Sequence, residues 1–222
     1  NYYAIEERLN RIVKIEEPPS ALLGTLSNLL EHQARNVYFF TKIESQKWLE
    51  PLFNEGYFSA DKNPGSVEAK DNEAHLSIPF WPALEYLKKI SSENLKNPNK
   101  ENTEILIKII DDIVCFRKPD GSRIINEQTD YSMLELIGSL PADKITEKHF
   151  EFIKSALIIT HFDISIVASG IGKILIERFI KEENKEMLLK TMDIVFLYTS
   201  DDKGFQVQPL MTEYFFKETL DI

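Results

Sequence analysis

The sequence predicts an all-α fold, an array of stacked antiparallel helix pairs, on three observations. Apolar residues recur at the spacing of one helix face through most of the chain. A proline opens a helical segment, as at Pro82. Pro98 with Thr103-Glu104 returns as Pro141 with Thr146-Glu147, an offset of 43 residues. Units of two helices every ~40 to 47 residues are typical of HEAT and armadillo-like α-solenoids, which is the fold class that we expect.

Residues 1–95 are predicted to form an N-terminal helical part. Its first helix ends before Pro18-Pro19, because proline cannot continue a helix. Ser20 belongs to the residue types that cap helices, and it predicts a longer helix over residues 21–40. The apolar positions of this helix keep the helical period, although residues 31–36 are polar.

Aromatic residues gather in the second half of this part and are predicted to pack as a local core, the aromatic plug, formed by Trp48, Phe53, Tyr57, Phe58, Phe80, Trp81 and Tyr86. Gly56 accepts left-handed backbone angles and is expected to end a short helix over residues 47–54. Pro82 fits the first turn of the helix that follows Trp81. The alternative interpretation is an aromatic pocket for a peptide or a base.

Two segments are expected to lack helix. Residues 59–77 are polar, so we expect a long loop with a composition that favours disorder. Residues 118–122 read Lys-Pro-Asp-Gly-Ser, a turn sequence in which glycine supplies positive backbone angles. A short hairpin near residues 118–128 is the most β-structure that we expect.

Residues 96–222 are predicted to contain the helical repeats. In the two copies of the repeated pattern, Thr103 and Thr146 are each expected to cap a helix whose apolar residues follow. A third helix is expected over residues 185–198. The antiparallel partners of these helices are predicted at residues 131–139, 164–181 and 208–220.

The charge balance disfavours a nucleic-acid partner. The chain carries 26 Lys and Arg against 36 Asp and Glu, a net charge of −10, and no basic segment stands out. Such a field repels phosphate backbones. No apolar run approaches the ~18 residues of a membrane helix, so we do not expect a membrane partner either.

Cys115 is the only cysteine, which excludes an internal disulfide and a cysteine-based metal site. It predicts a reducing, cytoplasmic setting, and its apolar neighbours predict a packed thiol. The sequence patterns of zinc proteases, serine hydrolases and phosphate-binding loops are absent. We therefore expect no metal and no cofactor, and no catalytic residue is assigned. Because the chain begins with Asn1, we expect it to be a piece of a longer protein.

A pattern of aromatic, proline and glycine residues runs through residues 37–157: Trp48-Leu49-x-Pro51-Leu52, Gly56-x-Phe58, Pro79-Phe80-Trp81-Pro82 and Leu140-Pro141 ahead of Ile145-Thr146. This pattern resembles helical-repeat regions of large multidomain bacterial proteins, the defence-type ATPases of the STAND and NACHT kind. The resemblance implies a non-catalytic helical part, with other domains of the same parent chain as partners. No NTPase motif occurs in the sequence, so the resemblance implies no catalytic residue.

The predicted function is binding, as a scaffold or sensing module that recognises a protein or a peptide. Stacked helix pairs leave a concave face for such partners. The candidate partner-binding residues are Arg35, Tyr57, Trp81 and Tyr86.

Two other classes of function stay open. An enzyme of unrecognised type could use His75 or His161 together with nearby carboxylates. A helical transcription regulator could bind DNA through a helix-turn-helix, which the net charge disfavours.

Overall fold

The computed structural model describes residues 2–62, 81–121, 127–159 and 175–199, and the regular structure in these ranges is entirely helical. The all-α prediction is therefore confirmed. The α-helices are α1 Tyr2–Ile12, α2 Ser20–Leu30, α3 Gln33–Lys42, α4 Leu49–Asn54, α5 Pro82–Lys96, α6 Lys100–Cys115, α7 Glu127–Gly138, α8 Glu147–Ile159, α9 Glu177–Lys181 and α10 Lys185–Thr199. Short 3-10 helices occur at Gln46–Trp48, Ala60–Lys62 and Ala142–Lys144.

The chain divides into two compact units, Asn1–Ser132 and Met133–Ile222. In the first unit α3 packs against α2 and α5, and α6 packs against α4 and α5. The predicted division after residue 95 falls inside this unit, because α6 contributes to its packing. In the second unit α10 packs against α8 and α9.

The core of the first unit is largely aromatic. Phe39, Phe40, Trp48, Phe58 and Tyr86 are each at most 1 % exposed. Their rings meet edge to face, tilted or stacked, at centroid distances from 5.1 to 6.4 Å. Such pairs contribute roughly 0.5–1.5 kcal/mol each beyond the burial of their area. Three members of the predicted aromatic plug, Trp48, Phe58 and Tyr86, thus belong to a core that also includes Phe39 and Phe40. Phe53 and Tyr57 are half-buried, and Phe80 lies outside the described residues.

The helix predicted over residues 21–40 is two helices, α2 and α3, so this prediction is wrong. His32 is extended, with φ −79° and ψ 121°, and it separates them. In one straight helix Phe39 would lie about 220° around the axis from Leu26, nearly on the opposite face. The break allows both side chains to be fully buried. The Asn36 amide then donates to the Leu30 carbonyl at 3.4 Å and satisfies one acceptor at the end of α2.

The helix caps differ from prediction at two positions. Pro19, not Ser20, precedes the first residue of α2, and no side chain caps that end. Helix α6 begins at Lys100, with the Asn99 side chain accepting the Asn102 N–H at 3.0 Å. Thr103 therefore lies inside α6, and its hydroxyl donates to the Asn99 carbonyl.

Thr146 does stand immediately before α8, as predicted. Its backbone N–H donates to Nδ1 of His149 at 2.9 Å, and the His149 ring is completely buried. A side chain at the third helical position that accepts from the residue before the helix is the arrangement of a capping box, with histidine in place of glutamate. Thr103 and Thr146 thus occupy different positions relative to their helices, so the repeated pattern does not mark equivalent structure.

Among the described residues of the second unit, Ile137, Ile153 and Phe179 are buried to at most 1 % exposure. Lys190 links α10 to α8: its Nζ lies 3.9 Å from Glu147 Oε2 and 6.0 Å from the centre of the Phe150 ring. The prediction of a helix over residues 185–198 is confirmed, since α10 covers them.

Several predictions fall wholly or partly outside the described residues: residues 63–77 of the predicted loop, 164–174 of one partner helix and all of 208–220. Residues 122–126 of the segment in which a short hairpin was allowed lie outside the described residues, and Glu127 and Gln128 open α7. The predicted turn is present, with Gly121 at φ +81°. Cys115 is exposed at the end of α6, so the prediction of a packed thiol is wrong.

The end of α4 depends on a glycine. Gly56 has φ +73°. Its N–H donates to the Phe53 carbonyl at 2.9 Å, and the Tyr57 N–H donates to the Leu52 carbonyl at 3.0 Å. These two bonds define a Schellman motif, in which a left-handed residue reverses the chain after the helix. Gly56 thereby sets the direction in which Tyr57 and Phe58 leave α4.

Replacing Gly56 by alanine is expected to lower the free energy of unfolding of the first unit by about 1 kcal/mol, because a Cβ disfavours positive φ. The matched control is Gly24→Ala, an exposed position inside α2 where a Cβ meets nothing within 4 Å. That change is expected to raise stability by about 0.5–1 kcal/mol. Both tryptophans lie in the first unit, so urea unfolding followed by tryptophan fluorescence measures it. If the two substitutions changed the free energy of unfolding equally, the role of positive φ at Gly56 would be contradicted.

Candidate functional site

Two of the four predicted site residues, Tyr57 and Trp81, line the same cleft. The cleft has a volume of about 370 Å³ and is partly open to solvent. Its apolar walls come from Leu30, Phe40, Pro82 and Ala83 together with the two aromatic residues, and its polar residues are Ser27, Glu31, Asn36, Glu55 and Lys62. A concave apolar surface with few polar groups is the general form of a ligand site.

Helix ends build this cleft. Glu31 is the C-cap residue of α2 and Glu55 is the C-cap residue of α4. Trp81 is the N-cap residue of α5, with φ −101° and ψ 96°, and Pro82 occupies the first turn. The backbone of Pro82 is already restricted to helical φ, so Trp81 is held at the point where the chain enters α5. The side chains of the cleft are therefore positioned by capping geometry.

Tyr57 is half-buried, and its ring lies 5.9 Å from that of Phe40 at an angle of 61°. Its hydroxyl oxygen is shielded from solvent and has no hydrogen-bond partner among the residues that the structure describes. Burial, and next the negative charge of Glu55, raise the pKa of Tyr57 to about 12. The hydroxyl is therefore a neutral donor at physiological pH whose hydrogen bond is not made within the described chain.

Tyr86 belongs to the core and not to the cleft. It is fully buried, its ring stacks on Phe58 at 6.2 Å with an interplanar angle of 9°, and its hydroxyl donates to the Ser45 carbonyl at 2.8 Å. Burial raises the pKa of Tyr86 above the usual value for tyrosine, and the charge of Glu93 adds to this effect. The structure therefore leaves this predicted site residue without exposed surface for a partner.

Arg35 lies on a different groove, between the start of α3 and α1. That groove has a volume of about 320 Å³ and is also lined by Leu9, His32 and Tyr38. Tyr38 directs its hydroxyl to the Asn10 side chain. The four predicted residues are thus divided among one cleft, one separate groove and the core.

Sequence reasoning missed the two carboxylates at the cleft, Glu31 and Glu55. Glu55 was visible as an acidic residue directly before Gly56, at the end of a predicted helix. Acidic residues at helix C-termini are unfavourable, since the carbonyl end of a helix carries partial negative charge, and that mismatch was the available signal. Glu31 lies in the middle of the helix predicted over residues 21–40, so the sequence did not mark it as a helix end.

The residues proposed for an enzyme, His75 and His161, lie outside the described residues. Over the ranges that the structure covers, no three His, Cys, Asp or Glu side chains come together in a way that could hold a metal ion. None of the helices described combines the length and the apolar character needed to cross a bilayer.

Comparison of the chain with family models, curated proteins and solved structures finds no match.

The contrast between the two tyrosines predicts opposite responses to loss of the hydroxyl. Tyr57→Phe removes a buried donor without a described partner, so the free energy of unfolding should stay unchanged or rise by up to about 1 kcal/mol. Tyr86→Phe leaves the Ser45 carbonyl without its hydrogen bond and should lower the free energy of unfolding by about 1–2 kcal/mol. Urea unfolding monitored by tryptophan fluorescence distinguishes the two results, and a loss of stability in Tyr57→Phe would show that its hydroxyl is bonded.

The raised pKa values of Tyr57 and Tyr86 predict that the protein loses stability in alkali. Their folded-state pKa values lie above the unfolded value of about 10. The unfolded chain therefore ionises first, and the stability present below pH 10 is lost as pH rises through the folded pKa values. Between pH 10 and pH 12 the unfolding midpoint in urea should fall less steeply for Tyr57→Phe than for the parent. If the urea midpoint falls equally steeply with pH in the variant and in the parent, Tyr57 does not contribute to the loss of stability.

Proposed function

We propose that this chain is a protein-interaction module and that the cleft between α2, α4 and α5 binds a peptide segment of a protein partner. The observation that supports this proposal is the cleft itself: an open concavity that combines apolar residues and the aromatic side chains of Tyr57 and Trp81 with the charged residues Glu31, Glu55 and Lys62. Aromatic side chains in partly desolvated pockets, surrounded by polar groups, dominate the energy of protein interfaces.

The form of the cleft favours a short segment over a flat protein surface. A volume of about 370 Å³ accommodates two or three side chains. Trp81 is only 5 % exposed, so it contributes a wall and not a projecting contact. A partner that inserts side chains between Tyr57 and the start of α5 would displace water from apolar surface, which is the main favourable contribution to such binding.

We also propose that the helices form a HEAT-like array within a larger bacterial protein of the STAND or NACHT type, where the module acts as a scaffold or sensing segment in the cytoplasm. In the first unit α3 contacts α5 and α4 contacts α6, in addition to the contact of α5 with α6. Contacts between next-but-one neighbours are typical of stacked helix pairs, which supports this arrangement. The aromatic, proline and glycine pattern supports the suggested parent class.

The proposal is tested by selecting binders from a displayed library of random nonapeptides and measuring their affinity for cleft variants. Ser27 and Asn28 are adjacent exposed residues of α2, but only Ser27 lines the cleft. Ser27→Phe fills the cleft and should weaken the selected peptides by about tenfold or more, which corresponds to about 1.4 kcal/mol. Asn28→Phe adds the same ring outside the cleft and should leave the affinity unchanged. Tyr57→Ala, which removes one wall, should act like Ser27→Phe.

Each variant must first show parental thermal stability and helix content by circular dichroism. We avoid truncating Trp81, because removing a buried tryptophan side chain costs roughly 3–5 kcal/mol and would confuse unfolding with loss of a contact. If no peptide is enriched, or if the selected peptides bind all variants equally, the cleft is not the binding site and the proposal fails.

A further inference from the structure

We propose that the cleft binds an arginine side chain of its peptide partner. This inference depends on the proposed peptide-binding function and specifies the chemistry of the ligand. It is carried by two carboxylates, Glu31 and Glu55, that line the cleft together with two aromatic side chains. Both carboxylates are on exposed residues, and neither forms an ion pair with any residue that the structure describes.

The position of Glu55 opposes helix stability. Glu31 ends α2 and Glu55 ends α4, and neither helix has a basic residue in its last turn. Carbonyl groups at a helix C-terminus carry partial negative charge and favour a nearby cation. Glu55 therefore adds a full negative charge where the backbone already supplies a partial one. At Glu31 the partial positive charge at the start of α3, which begins at Gln33, offsets that of the α2 carbonyls. A bound cation would relieve the repulsion at Glu55.

The opposing charges around the cleft are smaller. Lys62 contributes one ammonium group, and the N-termini of α3 and α5 each contribute about half a positive charge. These two N-termini balance the two helix C-termini, and the two carboxylates outweigh the one ammonium group. The cleft therefore carries net negative potential, and the net charge of −10 of the whole chain acts in the same direction at longer range.

The aromatic walls favour guanidinium over ammonium. Arginine is planar, stacks on aromatic faces and binds a carboxylate through two parallel hydrogen bonds, whereas lysine is a compact and strongly hydrated charge. A cation over tryptophan or tyrosine gains about 0.5–1 kcal/mol at exposed sites and more where water is excluded. Tyr57 and Trp81 line the same cleft as Glu31 and Glu55. The apolar stem of arginine matches the adjoining surface of Leu30 and Pro82.

The test uses the nonapeptides selected from the random library against the intact chain. We expect the selected sequences to share an arginine. Replacing that arginine by citrulline, which keeps the shape and removes the charge, should weaken binding by at least tenfold, and lysine should give an intermediate loss. Glu31→Gln and Glu55→Gln should each weaken the arginine peptide by at least fivefold and leave the citrulline peptide unaffected. Glu151→Gln, at an exposed position of α8 that is not among the residues lining the cleft, is the control and should change neither.

A second measurement separates ligand binding from structural damage. Because Glu55 opposes its own helix, Glu55→Gln should keep or raise the urea midpoint of unfolding while it weakens binding. A lowered midpoint in this variant would overturn the inference, since it would assign this glutamate a structural role.

The outcomes distinguish this inference from the function on which it depends. Peptides that lose affinity in Ser27→Phe but carry no arginine, or that tolerate citrulline, would overturn the arginine site and leave the peptide-binding function standing. Peptides whose affinity is unaffected by Ser27→Phe would overturn both.

Discussion

The first unit depends on the burial of one indole ring. Trp48 is fully buried, meets Phe39 edge to face at 5.3 Å, and donates its Nε1–H to the Ile15 carbonyl at 2.8 Å. A single side chain thus fixes the segment after α1, the core face of α3 and the start of α4. Ser45, just before it, donates its hydroxyl to the Glu16 carbonyl at 2.6 Å and accepts at its own carbonyl from Tyr86. Because these contacts orient α4, they also determine where Gly56 turns the chain and where Tyr57 meets the cleft.

The helical character of the chain could be predicted because it follows from local patterns. Proline at position 82 and glycine at position 56 restrict φ in ways that require no knowledge of the rest of the molecule, and both have the predicted roles. The break between α2 and α3 could not be predicted from the same patterns. It depends on whether Leu26 and Phe39 must be buried by the same neighbours, which is a property of tertiary packing. The choice of Asn99 over Thr103 as a cap has a similar origin, since Thr103 also accepts a hydrogen bond from Asn94 of α5.

The candidate site was predictable only in part, for a related reason. Aromatic residues near prolines indicated the region, and two of them, Tyr57 and Trp81, do line one cleft. Tyr86 is also an aromatic residue that follows a proline closely in the sequence. Its side chain nevertheless extends from α5 into the core, where its ring stacks on Phe58. Glu31 and Glu55 are 24 positions apart and come together only because two separate helices end at the same cleft. Sequence spacing identifies residues on one face of one helix, whereas this site is formed where several helices terminate.

Cys115 provides a practical handle on the molecule. It is the sole cysteine and it is exposed at the last residue of α6, in the same unit as both tryptophans. A maleimide dye or nitroxide attached there would need no engineered thiol and would leave the aromatic core intact. Energy transfer from the indoles to such a dye would follow the compactness of this unit during refolding, and the nitroxide would map, through line broadening, which amides lie near the end of α6.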